Sequence, residues 1–324
     1  MKNFRKVVVW FFLVIAFTIV GLLSYVKFAL PDVGVAPDLK VEITPARLQR
    51  GEYLANHVSL CVDCHSTRDW SKLGGPITPG SIGAGGELFD KMMGLPGTYY
   101  APNITPYALK DWTDGEILRA ITTGVSKKGN ALFPIMPYTH FREMDKEDIY
   151  SIITYIRTLP YQKTQVTPSS SDFPMNFIIN TIPAKADFKN IPAENDQIAY
   201  GKYLVNAASC SECHTIKDNG ENVLGMDFAG GNQFRFEDVT MTSANITPDL
   251  ETGIGKWSKE DFLNRFKAYR DIAKSPKHRM KGEFQTVMPW TMFSGMKDSD
   301  IEAIYIYLKT VKPVKNKIAT FTVN

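Results

Sequence analysis

Two short stretches, Cys61-Val62-Asp63-Cys64-His65 and Cys210-Ser211-Glu212-Cys213-His214, decide how this chain folds and what it binds. The pattern C-x-x-C-H is the attachment signature for c-type haem. Two cysteines three residues apart on one helical turn present both sulfurs to the vinyl groups of one porphyrin, and the next residue is the proximal histidine. The sequence therefore predicts two covalently bound haem c groups, whose iron ligands include His65 and His214.

These two stretches contain all four cysteines of the 324-residue chain. Two disulfides would be the first expectation for an exported protein with four cysteines. A four-cysteine zinc site would require the two pairs to converge, and it leaves each following histidine unexplained. One match could be chance or a redox dithiol, but two matches that use every cysteine of a chain expected to be exported leave little room for either. Haem attachment accounts for every cysteine and both histidines, so it is the favoured interpretation.

The chain repeats itself around these motifs. The tetrapeptide at 103–106 recurs at 245–248, and residues 136–158 match residues 288–310 at 10 of 23 positions without a gap. Landmarks that persist while loop lengths differ indicate a duplicated domain. We therefore expect an anchor at 1–30, a first cytochrome c domain at 41–162, a packed connector at 163–190 and a second domain at 191–324.

Each copy is predicted to be mostly helical. The last helix of each copy carries apolar residues at i, i+3, i+4 and i+7, which place one apolar stripe on a helix face. Those residues are Ile149, Ile152, Ile153 and Ile156 in the first copy, and Ile301, Ile304, Tyr305 and Leu308 in the second. A Gly/Pro-rich stretch at 74–102 is predicted to be loop. The expected fold class is all-α, with two tandem cytochrome c-like haem domains behind an N-terminal transmembrane helix.

Methionine occurs at two equivalent places in both copies and suggests the sixth iron ligands. Met144 and Met296 precede the last helices at the spacing of a hydrophobic staple, with Asp145 as the N-cap in the first copy. Met136 and Met288 lie in irregular chain before a proline, so we predict that they ligate iron, as Met does in many cytochromes c. The alternative ligands are three histidines outside the motifs, namely His57, His140 and His278.

The first thirty residues contain an uncharged run at 7–26, preceded by Lys2, Arg5 and Lys6. About twenty apolar residues span a bilayer as a helix, and flanking cations mark the cytoplasmic side. We expect an inner-membrane anchor with a cytoplasmic N-terminus and periplasmic haem domains. The alternative is a cleaved signal peptide, although the run is longer than usual and no clear cleavage site follows.

The net charge of +3 belongs to this N-terminal segment, because its four cations have no acidic neighbour and the remaining chain is nearly neutral. That distribution gives no support for nucleic-acid binding. One basic segment, 265–281, has seven Lys or Arg against Asp271 alone. It is either a solvated face or a docking surface for an acidic redox partner. Trp112 and Trp257 are expected either to donate to a haem propionate or to cap the core.

Several segments resemble the cytochrome c subunits of bacterial membrane-bound alcohol and gluconate dehydrogenases. They are residues 50–54, 132–138, 173–176 and 245–258. The resemblance implies a non-enzymatic periplasmic carrier that takes electrons from a dehydrogenase and passes them to the respiratory chain. Those subunits carry three haem motifs and this chain has two. The alternatives are a dihaem enzyme of the peroxidase or thiosulfate-oxidising type, or an electron-entry subunit of a terminal oxidase.

Overall fold

A computed structural model of the protein describes residues 2–218 and 220–324. Helices dominate, and they run over α1 Lys2–Phe28, α2 Pro45–Tyr53 (continued by a π-helical turn, Leu54–Val58), α3 Cys61–Cys64, α4 Pro106–Leu109, α5 Asp114–Thr123, α6 Tyr138–Phe141, α7 Lys146–Ile156, α8 Met175–Ile178, α9 Gln197–Ala207, α10 Cys210–His214, α11 Lys259–Lys267, α12 Arg270–Lys274, α13 Trp290–Phe293 and α14 Asp298–Leu308. Short 3₁₀ turns lie at Lys91–Met93 and Ile179–Thr181. We call residues 41–162 the first half and residues 191–324 the second half.

Three small antiparallel sheets amend the all-α prediction. Their strands are β1 Leu88–Phe89, β2 Gly97–Tyr100, β3 Ser170–Ser171, β4 Lys217–Asp218, β5 Glu221–Asn222, β6 Gln233–Arg235, β7 Val239–Thr242 and β8 Phe321–Val323. The sheet orders are β1-β2-β3, β4-β5 and β6-β7-β8. The prediction missed them because the strands have two to four residues, and several pair with chain far away in sequence. Strand β3, for example, brings the connector onto β2 of the first half.

Each half is built on two helices that cross at a glycine. A Cβ atom on Gly51 of α2 would lie 1.9 Å from the carbonyl oxygen of Ser151 on α7. A Cβ atom on Gly201 of α9 would lie 2.0 Å from the carbonyl oxygen of Ala303 on α14. Only glycine permits backbones to approach so closely. The same crossing therefore fixes the first and last helices of both halves.

The closing helices form as the sequence pattern predicts. Ile149, Ile152, Ile153 and Ile156 are buried, as are Ile301, Ile304 and Leu308. Asp145 caps α7 by accepting from the Glu147 backbone N–H at 2.8 Å. Met144 and Met296 are 0% and 2% exposed, as expected for core residues of a staple. These helices supply the core against which the haem motifs pack.

The two halves face each other through matching hydrogen bonds. The Tyr53 hydroxyl donates to Asp300 Oδ2 at 2.6 Å, and the Tyr203 hydroxyl donates to Asp148 Oδ2 at 2.6 Å. In both cases the tyrosine lies on the first helix of its half, and the aspartate lies on the last helix of the other half. The halves are therefore joined reciprocally, in an approximately two-fold arrangement.

Helix α1 differs from the rest, because its side chains are exposed and apolar. Its segment Asn3–Phe28 is long and apolar enough to cross a membrane, and none of its most apolar stretch is buried against the protein. A signal sequence near the N-terminus has the same properties. The fold is therefore a helical two-half body with one exposed apolar helix before it.

Candidate haem sites

Both C-x-x-C-H motifs begin with a residue in the left-handed backbone region. Leu60 has φ 53° before Cys61, and Ser209 has φ 52° before Cys210. Such values are uncommon for residues other than glycine, and they persist only where the surroundings impose them. The turn starts a short helix, α3 or α10, which sets the two cysteines of each motif three residues apart on one helical turn. Both motifs thus share one local geometry.

The two histidines are oriented by equivalent carbonyl groups. His65 Nδ1 donates to the Pro102 carbonyl at 2.7 Å, and His214 Nδ1 donates to the Ala244 carbonyl at 2.7 Å. Each carbonyl directly precedes one of the repeated Asn-Ile-Thr-Pro segments. Burial lowers the pKa of both imidazoles, although the hydrogen bond to the carbonyl opposes this shift. A lowered pKa favours the neutral imidazole, and the hydrogen bond at Nδ1 leaves Nε2 as the nitrogen that could bind a metal ion.

The repeated Asn-Ile-Thr-Pro segments hold these carbonyls in place. Asn103 Oδ1 accepts from the backbone and hydroxyl of Thr105 at 2.8 and 2.7 Å, and Asn245 repeats the pattern with Thr247 at 2.9 and 2.7 Å. The asparagine amides donate to the chain that follows each closing helix, at Gln162 and Val314. The sequence repeat alone could have identified these positioning residues.

The cysteine environments argue against zinc and dithiol chemistry. All four cysteines lie in the described residues as free thiols, so the two-disulfide pattern is absent. Burial raises the pKa of Cys61, Cys64 and Cys210 to about 12. A zinc site or a reactive dithiol needs thiolates, which low-dielectric surroundings disfavour. Within residues 2–218 and 220–324, no group of three or more His, Cys, Asp or Glu is arranged to hold a metal ion.

One continuous cavity of about 2070 Å³ joins the two motifs. It is bordered by apolar side chains from both halves and from the connector. The predicted site residues that line it are Cys64, Cys210, Cys213, His214, Met288 and Trp257. Cys61, His65 and Met136 lie beside it without lining it. A large apolar cavity next to paired thiols and a neutral imidazole fits a porphyrin covalently bound at these motifs.

The two pairs of methionines at equivalent positions differ in how deeply they are buried. Met136 and Met288 are partly buried and pack against the hydrophobic core just before α6 and α13. Met144 and Met296 are buried, and Met144 Sδ accepts from the Ser59 hydroxyl at 3.9 Å. Met296 also borders the cavity. The first pair is therefore partly accessible, whereas the second pair is buried.

The alternative histidine ligands are engaged elsewhere. His57 Nδ1 donates to the Met292 carbonyl at 2.8 Å, across the interface between the halves. His140 donates to Asn206 Oδ1 at 2.8 Å and to Glu212 Oε1 at 2.7 Å, so both of its ring nitrogens are occupied. His278 is exposed and forms an isolated β-bridge with Lys72. All three histidines therefore lie at contacts between the halves, His57 and His140 through their side chains and His278 through its backbone.

Sequence reasoning missed one pair of charged residues at each motif. Asp63 contacts Arg68 with Oδ2 and Nη1 3.2 Å apart, and Glu212 contacts Lys217 at the equivalent positions. Burial raises the pKa of Asp63, partly offset by Arg68. Burial opposes ionisation of Glu212 too, but the hydrogen bonds from His140 and Lys217 lower its pKa to about 2. The shared spacing of the acid and the base in both copies was a signal that the repeat contained.

Ion pairs with acidic residues elsewhere in the second half neutralise part of the basic segment 265–281. Lys267 and Arg270 both contact Asp298, at 2.7 and 2.8 Å, and Arg279 contacts Asp238. Lys274, Lys277 and Lys281 stay exposed. Backbone bonds from Leu73 to Lys277 and from Arg279 to Ser71 attach this segment to the first half. The segment is thus partly a strap between halves, with three lysines on its outer surface.

The two tryptophans of the repeat have different surroundings. Trp112 is partly buried against the core, whereas Trp257 is 37% exposed and lines the cavity. Both precede capped helices, because Thr113 and Ser258 each form a reciprocal capping box with an acidic residue three positions on. Only Trp257 is placed to reach a group in the cavity.

Comparison with known proteins agrees with this geometry. Residues 198–312 match the cytochrome c family. The chain is 29% identical over 292 residues to the cytochrome c subunit of the quinone alcohol dehydrogenase of Gluconacetobacter polyoxogenes, covering 86% of this chain and 58% of that one. It is 28% identical to the fructose dehydrogenase cytochrome subunit of Gluconobacter japonicus, over 83% of this chain and 54% of the relative.

The chain thus spans little more than half the length of these relatives. It is also 27% identical to a dihaem cytochrome c-type protein of Cereibacter sphaeroides, and there the alignment covers 79% of this chain and 83% of the relative. The match to the cytochrome c family supports covalently bound haem c. Residues 198–312 therefore resemble a cytochrome c domain, and most of the chain resembles the cytochrome subunits of alcohol and fructose dehydrogenases.

Proposed function

We propose that this protein is a membrane-anchored dihaem cytochrome c that carries electrons from a periplasmic dehydrogenase to the respiratory chain. The observation that carries the proposal is the identical construction of the two motifs: a left-handed residue, a short helix with two free thiols, and a histidine held by a carbonyl at 2.7 Å. The second copy lies inside the segment that matches the cytochrome c family. The first copy is built in the same way, so it is expected to bind the same group.

The residues of the two motifs would have three roles, namely attaching haem, orienting the histidine ring and ligating iron. Bound haem c supplies a ferrous–ferric couple for outer-sphere electron transfer. Cys61, Cys64, Cys210 and Cys213 would form the thioether bonds. His65 and His214 would ligate iron through Nε2, while Nδ1 keeps each ring oriented by its carbonyl acceptor. Met136 and Met288 would supply the sixth ligands, since their sulfurs lie in irregular chain beside the core.

The exposed apolar helix α1 supports the anchor. A helix of this length spans a bilayer, and its exposed apolar surface needs a nonpolar environment. Arg5 and Lys6 at its start favour a cytoplasmic N-terminus in the inner membrane, which places both halves on the periplasmic side. The named relatives are subunits of dehydrogenases, which supports a dehydrogenase as the electron donor.

Near-infrared spectroscopy of the oxidised protein tests the ligand assignment. The methionine–iron charge-transfer band should be present, and Met136→His and Met288→His should each remove a comparable part of it. Met280→His is the matched control, because Met280 is 69% exposed and remote from the core. A band that survives both ligand substitutions, or that is absent from the native protein, would refute the methionine ligands.

Mild detergent extraction followed by affinity purification tests the physiological role. A periplasmic dehydrogenase should co-purify and should reduce the cytochrome when given its substrate. Co-purification with a terminal oxidase would instead support an electron-entry subunit. Peroxide or thiosulfate turnover by the purified protein would support a dihaem enzyme.

A further inference from the structure

The C-terminal end of α1 rests against the connector. Lys27 Nζ lies 5.9 Å from the centroid of the Phe177 ring, and α1 contacts both α8 and the 3₁₀ turn Ile179–Thr181. Lys27 is one residue before the end of α1 at Phe28. The connector is therefore held at the level where the apolar helix ends, which is the level of the membrane surface if α1 spans the bilayer.

The connector presents exposed apolar side chains at this level. Phe173 is 79% exposed and Ile178 is 44% exposed. Met92, 64% exposed, belongs to a neighbouring turn, which is joined to the connector by the Lys91–Asp172 ion pair at 2.8 Å and by the bond from the Asp172 N–H to the Pro96 carbonyl at 3.0 Å. Contiguous exposed apolar groups on a protein surface mark a site of contact.

The charges around these groups suit an interface between lipid and water. Lys27 and Lys91 lie beside the apolar groups, and a lysine stem can cover apolar surface while its ammonium stays in water. Elements that lie in the interfacial plane combine Phe or Leu on one side with Lys or Arg on the other. The continuity of this patch with the end of α1 favours lipid as the occupant over a protein partner.

We propose that residues 173–182 form a membrane foot, led by Phe173, that inserts into the outer interface of the lipid bilayer. This inference rests on the proposed anchor, since α1 defines where the bilayer lies. The foot gives the body a second attachment besides the segment that joins α1 to the rest of the chain. Two attachments restrict rotation of the body over the membrane.

The membrane foot also shares a wall with the haem cavity. Met92, Met175, Ile178 and Thr181 all line that cavity, whereas Phe173 does not line it and is the exposed side chain left to enter lipid. Insertion of the foot would therefore keep this side of the cavity next to the membrane surface. The orientation of the first haem motif relative to the bilayer then follows from contacts of this chain and does not require a partner protein.

Site-specific photo-crosslinking of the full-length holoprotein in phospholipid nanodiscs tests the foot. Three separate proteins carry p-benzoylphenylalanine at Val14, Phe173 or Leu250. Val14 lies on α1 and reports the anchor, whereas Leu250 is a surface leucine of the second half, 63% exposed, and serves as the matched control. All three positions are exposed, so the fold should tolerate each substitution, and an unchanged haem absorption spectrum checks this. Mass spectrometry then counts lipid adducts.

If the foot enters the bilayer, lipid adducts at position 173 should be as abundant as those at position 14. No lipid adducts are expected at position 250. Adducts at 14 without adducts at 173 would refute the foot while leaving the anchor intact. Absence of adducts at both 14 and 173 would refute the anchor and the foot together. Cross-links from 173 to a second copy of the chain or to another protein would identify a protein interface and overturn the proposal. Equal labelling at 250 would show unspecific contact and would also overturn it.

Discussion

The residue before the second cysteine of the C-x-x-C-H motif has opposite electrostatic environments in the two motifs. Asp63 in the first motif is buried, and its pKa is raised by that burial in spite of Arg68 from its own half. Glu212 in the second motif is ionised, because Lys217 and His140 donate to it, and His140 comes from the first half. One duplicated scaffold has thus produced two different electrostatic environments. The difference shows that the surroundings of the second motif are completed by a residue from the first half of the chain.

The largest expected effect on stability concerns the glycine at the helix crossing that both halves share. Gly51→Ala and Gly201→Ala place a Cβ within 1.9 and 2.0 Å of a carbonyl oxygen on the crossing helix. Each substitution should lower the free energy of unfolding by about 3 kcal/mol, since overpacked backbone contacts cannot relax by side-chain rotation. Chemical denaturation measures this. Glu52→Ala and Lys202→Ala, which alter the adjacent exposed residues, should have little effect, and a strong loss in only one glycine variant would break the equivalence of the halves.

The matching tyrosine–aspartate bonds should differ in strength. Tyr53→Phe leaves the buried Asp300 with the distant Tyr200 and Ser299 hydroxyls, both at 3.4 Å. Tyr203→Phe leaves Asp148 with two bonds from Arg50, each 2.8 Å long. We expect a loss of about 2–3 kcal/mol in the first case and about 1 kcal/mol in the second, because an underpartnered buried carboxylate is costly. Equal losses by denaturant titration would contradict this asymmetry.

The contact of His140 with Glu212 predicts that the stability of the protein depends on pH through the second motif. Burial lowers the pKa of His140, but hydrogen bonds to Glu212 and Asn206 outweigh it, while Lys217 opposes them, and the net pKa lies above 6.5. Because the pKa of His140 is higher in the folded than in the unfolded protein, its protonated imidazole stabilises the fold. This stabilisation is complete below the unfolded pKa near 6.5, and it is lost as the pH rises through the folded pKa. His140→Gln should therefore cost about 1–2 kcal/mol at pH 5.5 and progressively less above neutral pH.

Unfolding of the native protein and the His140→Gln variant across this pH range measures that difference. His57→Gln is the control, because its Nδ1 donates to a backbone carbonyl and not to a carboxylate. A stability difference for His140→Gln that is independent of pH would show that the contact with Glu212 does not involve a protonated imidazole.

The smallest expected effect concerns the basic segment, which occurs only in the second half. Lys277→Glu combined with Lys281→Glu should slow association with an acidic redox partner roughly tenfold at low salt, since exposed charge steers encounter. Stopped-flow kinetics at several ionic strengths would measure it. The first-half pair Lys110→Glu and Lys128→Glu is the matched control. Unchanged rates in the Lys277 and Lys281 variant would mean that the exposed lysines only solvate the strap.

The sequence predicted well what depends on local pattern. The stripe from Ile149 to Ile156, the Asp145 cap and the buried Met144 and Met296 follow from spacing along one helix, so a single sequence contains enough information. The haem motifs likewise depend on residues three or four positions apart. The duplicated landmarks pointed to equivalent halves, and the resemblance to dehydrogenase cytochrome subunits is confirmed.

Contacts between distant segments could not be predicted in the same way. The two- to four-residue strands have too few residues for an alternating pattern, and β3 and β8 pair with strands far away along the chain. His140 looked like a competing iron ligand because nothing in its neighbourhood reveals Glu212, which is 72 positions away. Asp298 and Asp238 neutralise part of the basic segment, and neither lies within that segment.

The central claim is that each half binds one covalent haem, and intact-mass spectrometry of the purified protein tests it most directly. The native chain should carry the mass of two haems. Cys61→Ala with Cys64→Ala, and separately Cys210→Ala with Cys213→Ala, should each reduce this to one. A native protein with a single haem, or a double variant that retains both, would contradict the claim.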